Sequence, residues 1–222
     1  MKKLNTFFQR LLSGKISSRT LKEELRRQRA IDLGDTTQVE RFFGNLPDDK
    51  GFQAPQRLAA GASIHTSTMM LRYHDRANWA ETHSDIQIFA AHFIEALRRR
   101  NIPMYVHSAF RTLEEQNELQ AKGRSRAKWP RAPHCQGKAV DIVHGQYHWE
   151  LTPQEWQYLG KLGKDIAAKL GIEITWGGDW TFYDPAHWEL TDWRENIRAI
   201  DGRGDPVRFT PRKLLAMHRG AA

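Results

Sequence analysis

The sequence predicts an α+β domain with a basic helical extension at its N-terminal end, and three observations carry that prediction. Between residues 70 and 200, helical periods and short β-type runs follow one another with tight connections. That pattern fits helices flanking a small sheet better than a doubly wound one. The helices in this stretch carry their own start and stop residues. Finally, the first 30 residues hold nine Lys/Arg against two Glu, a net +7 of the chain's +8.

The 222 residues suffice for one domain with a sizeable core plus an extension. No apolar run approaches a membrane-spanning length. Cys135 is the only cysteine, which excludes an internal disulfide framework and zinc clusters built from several thiolates.

Leu4, Phe7, Phe8, Leu11 and Leu12 recur at helical spacing, and Gly14 ends that helix. "SSRTLKEELRRQRAI" restarts a more basic one, giving an amphipathic arm over residues 1–33. Asn5, Gln9 and Arg10 interrupt the apolar stretch, so no signal peptide is expected and the protein is expected to stay in the cytoplasm. Residues 1–30 are expected to meet an anionic envelope or membrane surface. Without a recognisable nucleic-acid-binding motif, no specific nucleic acid is expected. Residues 34–69, rich in Gly, Pro, Asp and Thr, read as a linker or an irregular wrap, and residues 201–222 as a basic tail.

Within residues 70–200, "IQIFAAHFIEALRRRNIP" puts Ile86, Phe89, Ala90, Phe93, Ile94 and Leu97 on one helix face, with Asn101 and Pro103 as the stop. His92 falls off that stripe and is expected at the surface or its boundary. "MYVHS" reads as a strand. Thr112 and Glu115 form a capping box for a helix through Lys122, closed by Gly123. "KAVDIV" is a second strand. Thr152, Pro153 and Glu155 start a helix that carries Trp156, Leu159, Ile166 and Leu170 and ends at Gly171. "IEITW" is a third strand, and "HWEL" at 187–190 is a fourth.

The phosphate-binding glycine loops, the GxSxG elbow and the HExxH zinc helix are absent. What remains is a set of His and acidic residues in "PHCQGKAVDIV" and "GGDWTFYDPAHWEL". His134 and Asp141 lie seven residues apart, so a straight strand would send them to opposite faces, but Gly137 permits a bend. Asp141 sits in an apolar strand, where an unpaired carboxylate is costly and a metal ion would offset the cost. His187 offers a third ligand. Asp184, three residues earlier with Pro185 between, supplies an acid placed to act as general base.

"HWEL" also occurs at 148–151, with no acid three residues ahead and the Thr152 cap directly behind. His148 therefore reads as a loop histidine. His144 and His107 read the same way, although His107 is near enough to line the site. Cys135 reads as an inert thiol. Of Trp176, Trp180, Phe182 and Trp188, one or two are expected to face a substrate.

"SAFRTLEEQ", "HCQGKAVD" and "GGDWTFYDPAHWEL" resemble, in that order, three motifs of the zinc D-Ala-D-Ala carboxypeptidase and L-alanyl-D-glutamate endopeptidase family. Those motifs run S-G-x-R-x-x-x-x-Q, S-x-H-x-x-G-x-A-x-D and [DE]-x-x-H-x-E, and the resemblance covers about residues 70–200. It implies a small, mainly antiparallel sheet flanked by helices around a zinc site, the fold shared with hedgehog signalling domains. It also implies one Zn2+ per chain on His134, Asp141 and His187. Asp184 becomes the base, with Glu189 as the competing acid, and Arg111 becomes the oxyanion and carboxylate-binding cation. Ser108, Gln116, Trp180 and Trp188 are the further candidates for substrate binding. Ala109 replaces the motif glycine, and Ala132 replaces the serine before the ligand histidine.

The function so implied is zinc-dependent hydrolysis of an amide bond in peptidoglycan stem peptides. The resemblance favours an L-alanyl-D-glutamate endopeptidase of the phage endolysin type, or a virion-associated lysin, that reaches the cell wall after release. The alternatives are a D-Ala-D-Ala carboxypeptidase and a non-catalytic metal-binding module of the same fold.

Overall fold

The computed structural model describes residues 53–60, 64–65 and 67–194. The expected arm over 1–33, most of the segment over 34–69 and the tail over 201–222 lie outside the described residues. Helix α1 spans Thr68–Asp75, α2 Ser84–Arg98, α3 Leu113–Ala121 and α4 Pro153–Leu170. Strands β1 (Met104–Ser108), β2 (Ala139–His144), β3 (Ile174–Trp176) and β4 (His187–Leu190) form one antiparallel sheet in the order β1-β2-β4-β3. The four strand expectations and the α+β class agree with this architecture.

Local chemistry sets the helix ends. The Thr112 hydroxyl accepts from Glu115 N–H while Glu115 accepts from Thr112 N–H, and Thr152 and Glu155 repeat the arrangement on α4. Gly171 closes α4 in the left-handed conformation that glycine takes without strain. Helix α1 runs across residues 69 and 70, where the sequence suggests a boundary. Upstream of it, Leu58 is fully buried in the same core.

Helices α2 and α4 pack together and against the sheet. At the centre of this layer lies Trp188, in ring contact with Phe89 and Phe93 of α2 and stacked on Trp176 of β3. Gly160 and Gly163 of α4 make room for these indoles, since a Cβ at either would collide with the Trp176 or Trp188 ring. Helix α2 is buried on almost every side, which corrects the surface expectation for His92: it is 4% exposed, and its Nδ1 lies 2.7 Å from Ile88 O. The apolar period marked one packed face, but the helix is covered on others as well.

His144 also departs from a loop reading. It ends β2 fully buried, its Nε2–H donates to Leu58 O, and its Nδ1 accepts from the Gln146 and Tyr147 amides. This ring ties the segment before α1 to the sheet.

Candidate active site

Strand β4 is paired on both edges, with β2 and with β3. Side chains alternate along it, so His187 and Glu189 take one face while Trp188 and Leu190 enter the core. Asp141 on β2 lies directly across from His187. His134 comes from a short 3-10 turn, His134–Gln136, ahead of β2. Gly137 then turns the chain with φ 64°, packed so tightly on the Glu81 backbone that a Cβ would collide. That bend brings a residue seven positions upstream onto Asp141.

The three side chains meet. Asp141 Oδ1 lies 3.1 Å from His134 Nε2 and 3.1 Å from His187 Nδ1. One ligand atom from each of the three residues lies within 4.8 Å of the others. The outer ring nitrogens are held as well. His134 Nδ1 donates to Ala109 O at 2.7 Å, which leaves its Nε2 lone pair facing the carboxylate. His187 Nε2 lies 3.0 Å from Glu189 Oε2, and Trp193 Nε1 donates to Glu189 Oε1.

The protonation states follow the geometry. Burial lowers the His134 pKa despite the Asp141 charge, which favours the neutral ring. Burial also acts against the Asp141 carboxylate, but His134 and His187 outweigh it and hold its pKa well below the usual range. At His187 burial is outweighed by hydrogen bonds to Asp141 and Glu189, which push the pKa up to about 9. At neutral pH these hydrogen bonds favour the protonated His187 ring.

Asp184 and Arg111 open onto the same cavity of about 1220 Å³ as His134, Asp141 and His187. Asp184 N–H donates to Gly177 O, His187 N–H donates to Asp184 O, and Gly177 leaves no room for a Cβ against the Asp184 carbonyl. This is the local turn expected across Pro185. Burial raises the Asp184 pKa, and the nearby Asp141 charge adds to it. The Arg111 guanidinium donates to Gln116 Oε1, Ser108 Oγ and Asp141 Oδ2 at 3.3–3.4 Å.

Several candidates take other places. Trp188 is 1% exposed and does not line the cavity, because the alternation that turns His187 to the site turns its neighbour away. Gln116 is fully buried: its Oε1 holds Arg111 while its Nε2 donates to Ser125 Oγ and Ala127 O. It is therefore a brace beneath the arginine rather than a contact surface. Glu189, 5% exposed, lines the cavity, but its carboxylate is engaged by His187 and Trp193. Ser108 and Trp180 line the cavity, and the Trp180 ring lies 5.2 Å from that of His187. Cys135 is fully buried, and burial pushes its thiol up to about 11, so it stays protonated.

His148 lies apart from the cluster, with its Nδ1 3.1 Å from the Tyr105 hydroxyl. The first HWEL does reach the cavity, but through Trp149. Trp149, Arg76 and Arg126 are lining residues that sequence reasoning missed. No spacing signal marks them, although the basic run around Arg124, Arg126 and Arg131 was visible as composition.

A solved structure that this chain resembles is the L-Ala D-Glu endopeptidase ChiX of Serratia marcescens, at 24% identity and a TM-score of 0.40 over 52% of this chain and 90% of that one. Residues 71–196, more than half of the chain, match the family model described as phage L-alanyl-D-glutamate peptidase. On that match, the chain belongs to the phage L-alanyl-D-glutamate peptidase family.

Proposed function

We propose that this protein is a zinc-dependent endopeptidase that hydrolyses the L-alanyl-D-glutamate bond of peptidoglycan stem peptides, a lysin of the endolysin or virion-associated type. One observation carries the reading: a His134/Asp141/His187 donor set shares a single cavity with Asp184 and Arg111. Two imidazoles and one carboxylate form a nitrogen and oxygen set that zinc accepts, with a coordination position left over for water. The tethered outer nitrogens of both rings also match the support that metal-binding histidines require.

Zinc, when bound, would polarise the scissile carbonyl and lower the pKa of water to about 7. Asp184 takes the proton from the attacking water and returns it to the leaving amine. Its raised pKa suits that exchange, because a stronger base accepts the proton more readily. Arg111 is braced by Ser108 and Gln116 before substrate arrives, so it stabilises the developing oxyanion, or a substrate carboxylate, with little reorganisation.

The deciding experiment is digestion of purified peptidoglycan by the metal-loaded protein, with identification of new amino termini. New D-glutamate termini are expected. Release of D-alanine would identify a carboxypeptidase, and intact peptidoglycan with a full metal site would identify a non-catalytic module. The basic arm over residues 1–30 is proposed to hold the protein on anionic envelope surfaces. Its deletion should weaken binding to anionic vesicles, most of all at low salt, and leave hydrolysis of a soluble muropeptide nearly unchanged.

A further inference from the structure

The cavity of about 1220 Å³ exceeds the roughly 300–1,000 Å³ that small ligands occupy. Part of its wall is built from Trp149, His107, Arg76 and Asn78, which the hydrolytic chemistry leaves unused.

Two local irregularities deliver these side chains. Val106 pairs with Ile142 and Ser108 with Asp141, so His107 is the extra residue of a β-bulge. In a regular strand His107 and Ser108 would face opposite ways; here both line the cavity. Trp149 follows His148, whose φ of 50° is a strained conformation for a residue with a Cβ.

The surroundings hold that strain in place. His144 and His148 exchange backbone hydrogen bonds, and the Tyr105 hydroxyl lies 3.1 Å from His148 Nδ1. Tyr73 stacks on Tyr105 and meets the His148 ring edge-on. The outcome is an indole 49% exposed, with the His107 ring at 4.6 Å against it. Burial, aided by the Arg76 charge, holds His107 down to about 4, so its neutral ring can both donate and accept at neutral pH.

An open indole beside neutral and cationic donors needs an occupant with one apolar face and a polar edge. Methyl groups and charged chains, which are what the stem peptide offers, do not combine the two. The muramyl sugar does, with a C–H face and a rim of hydroxyl and amide groups. We propose that Trp149, with His107 and Arg76, forms a saccharide subsite that holds the muramyl end of the substrate; this rests on the peptidase reading above.

The test compares two soluble substrates: a stem peptide carrying N-acetylmuramic acid on its L-alanine, and the same peptide capped with acetyl. Wild-type kcat/KM should favour the sugar-bearing substrate by about tenfold. Trp149→Ala should bring that ratio close to one, His107→Ala should lower it in part, and Trp149→Phe should keep most of it. A wild-type ratio of one, or a ratio unchanged in Trp149→Ala, overturns the subsite. Hydrolysis of neither substrate overturns the peptidase reading instead. Saturation transfer from protein to the sugar protons then decides the subsite alone: a signal lost in Trp149→Ala supports it, and no wild-type signal overturns it.

Discussion

At His187–Leu190 the residues HWEL form strand β4, hydrogen-bonded on both edges, and strict alternation sends His187 and Glu189 to the site and Trp188 and Leu190 to the core. At His148–Leu151 the same four residues make a turn. A β-bridge to His144 ties it to β2, and the left-handed His148 reverses the chain, so the histidine packs on Tyr105 and Tyr73 while the tryptophan stays open to the cavity. The roles are exchanged: one copy offers its histidine and buries its tryptophan, and the other does the reverse. Backbone context decides which side chain is available for chemistry, and pairing on two edges is what fixes it for the second copy.

The largest expected effect separates the two histidines. His187→Ala should remove most bound metal and abolish hydrolysis, because it takes away a ligand and leaves Asp141 with one imidazole. His148→Ala should keep full metal content by elemental analysis. Retained metal in His187→Ala with loss in His148→Ala would invert the comparison.

Asp184→Asn comes next. It should bind metal normally and lose about 10²–10⁴ in kcat, since an amide cannot take the water proton. Glu189→Gln should retain far more turnover at saturating metal. If Glu189→Gln were the inactive variant and Asp184→Asn the active one, the base would lie on β4.

Much of the site was legible because its motifs are local. Capping residues, the Gly137 bend and the Asp184–His187 turn act over a few positions, and each left a mark in the sequence. Trp188 was a substrate-binding candidate although the strand reading of HWEL itself sends residue 188 away from residue 187, so its burial is a correction that local alternation explains. The cavity wall around Trp149 was not legible. It depends on a bulge in β1 and a positive φ at a non-glycine residue, and both are imposed by the neighbours rather than by the segment itself. The burial of His92 was missed for a similar reason, since a helix period does not report how many sides are covered.

The two tryptophans should differ in stability. Trp188→Ala removes an indole packed among Phe89, Phe93 and Trp176, and should cost about 3–5 kcal/mol by denaturant titration. Trp149→Ala, half exposed, should stay within about 0.5 kcal/mol of wild type. A large loss at Trp149 would mean that the first HWEL also serves as core.

The smallest effect probes what Glu189, two residues past His187, does for that ring. Hydrogen bonds to Asp141 and Glu189 hold the His187 pKa up to about 9, so at neutral pH a metal ion must displace its proton. Apparent metal affinity should therefore rise by about tenfold per pH unit and level off near the His187 pKa. Glu189→Gln removes one of the two carboxylates that raise that pKa, and it also loosens the ring. Above pH about 9, where neither protein carries the His187 proton, the loosened ring acts alone, and the variant should bind metal about 10–100-fold more weakly. From there down to the variant's lower His187 pKa only the wild type has a proton to displace, so the gap should narrow across that window and stay constant below it. Competition with a chelator across this range measures both curves. Parallel curves would show that Glu189 orients His187 without setting its proton affinity, and the glutamate would then be a steric brace alone.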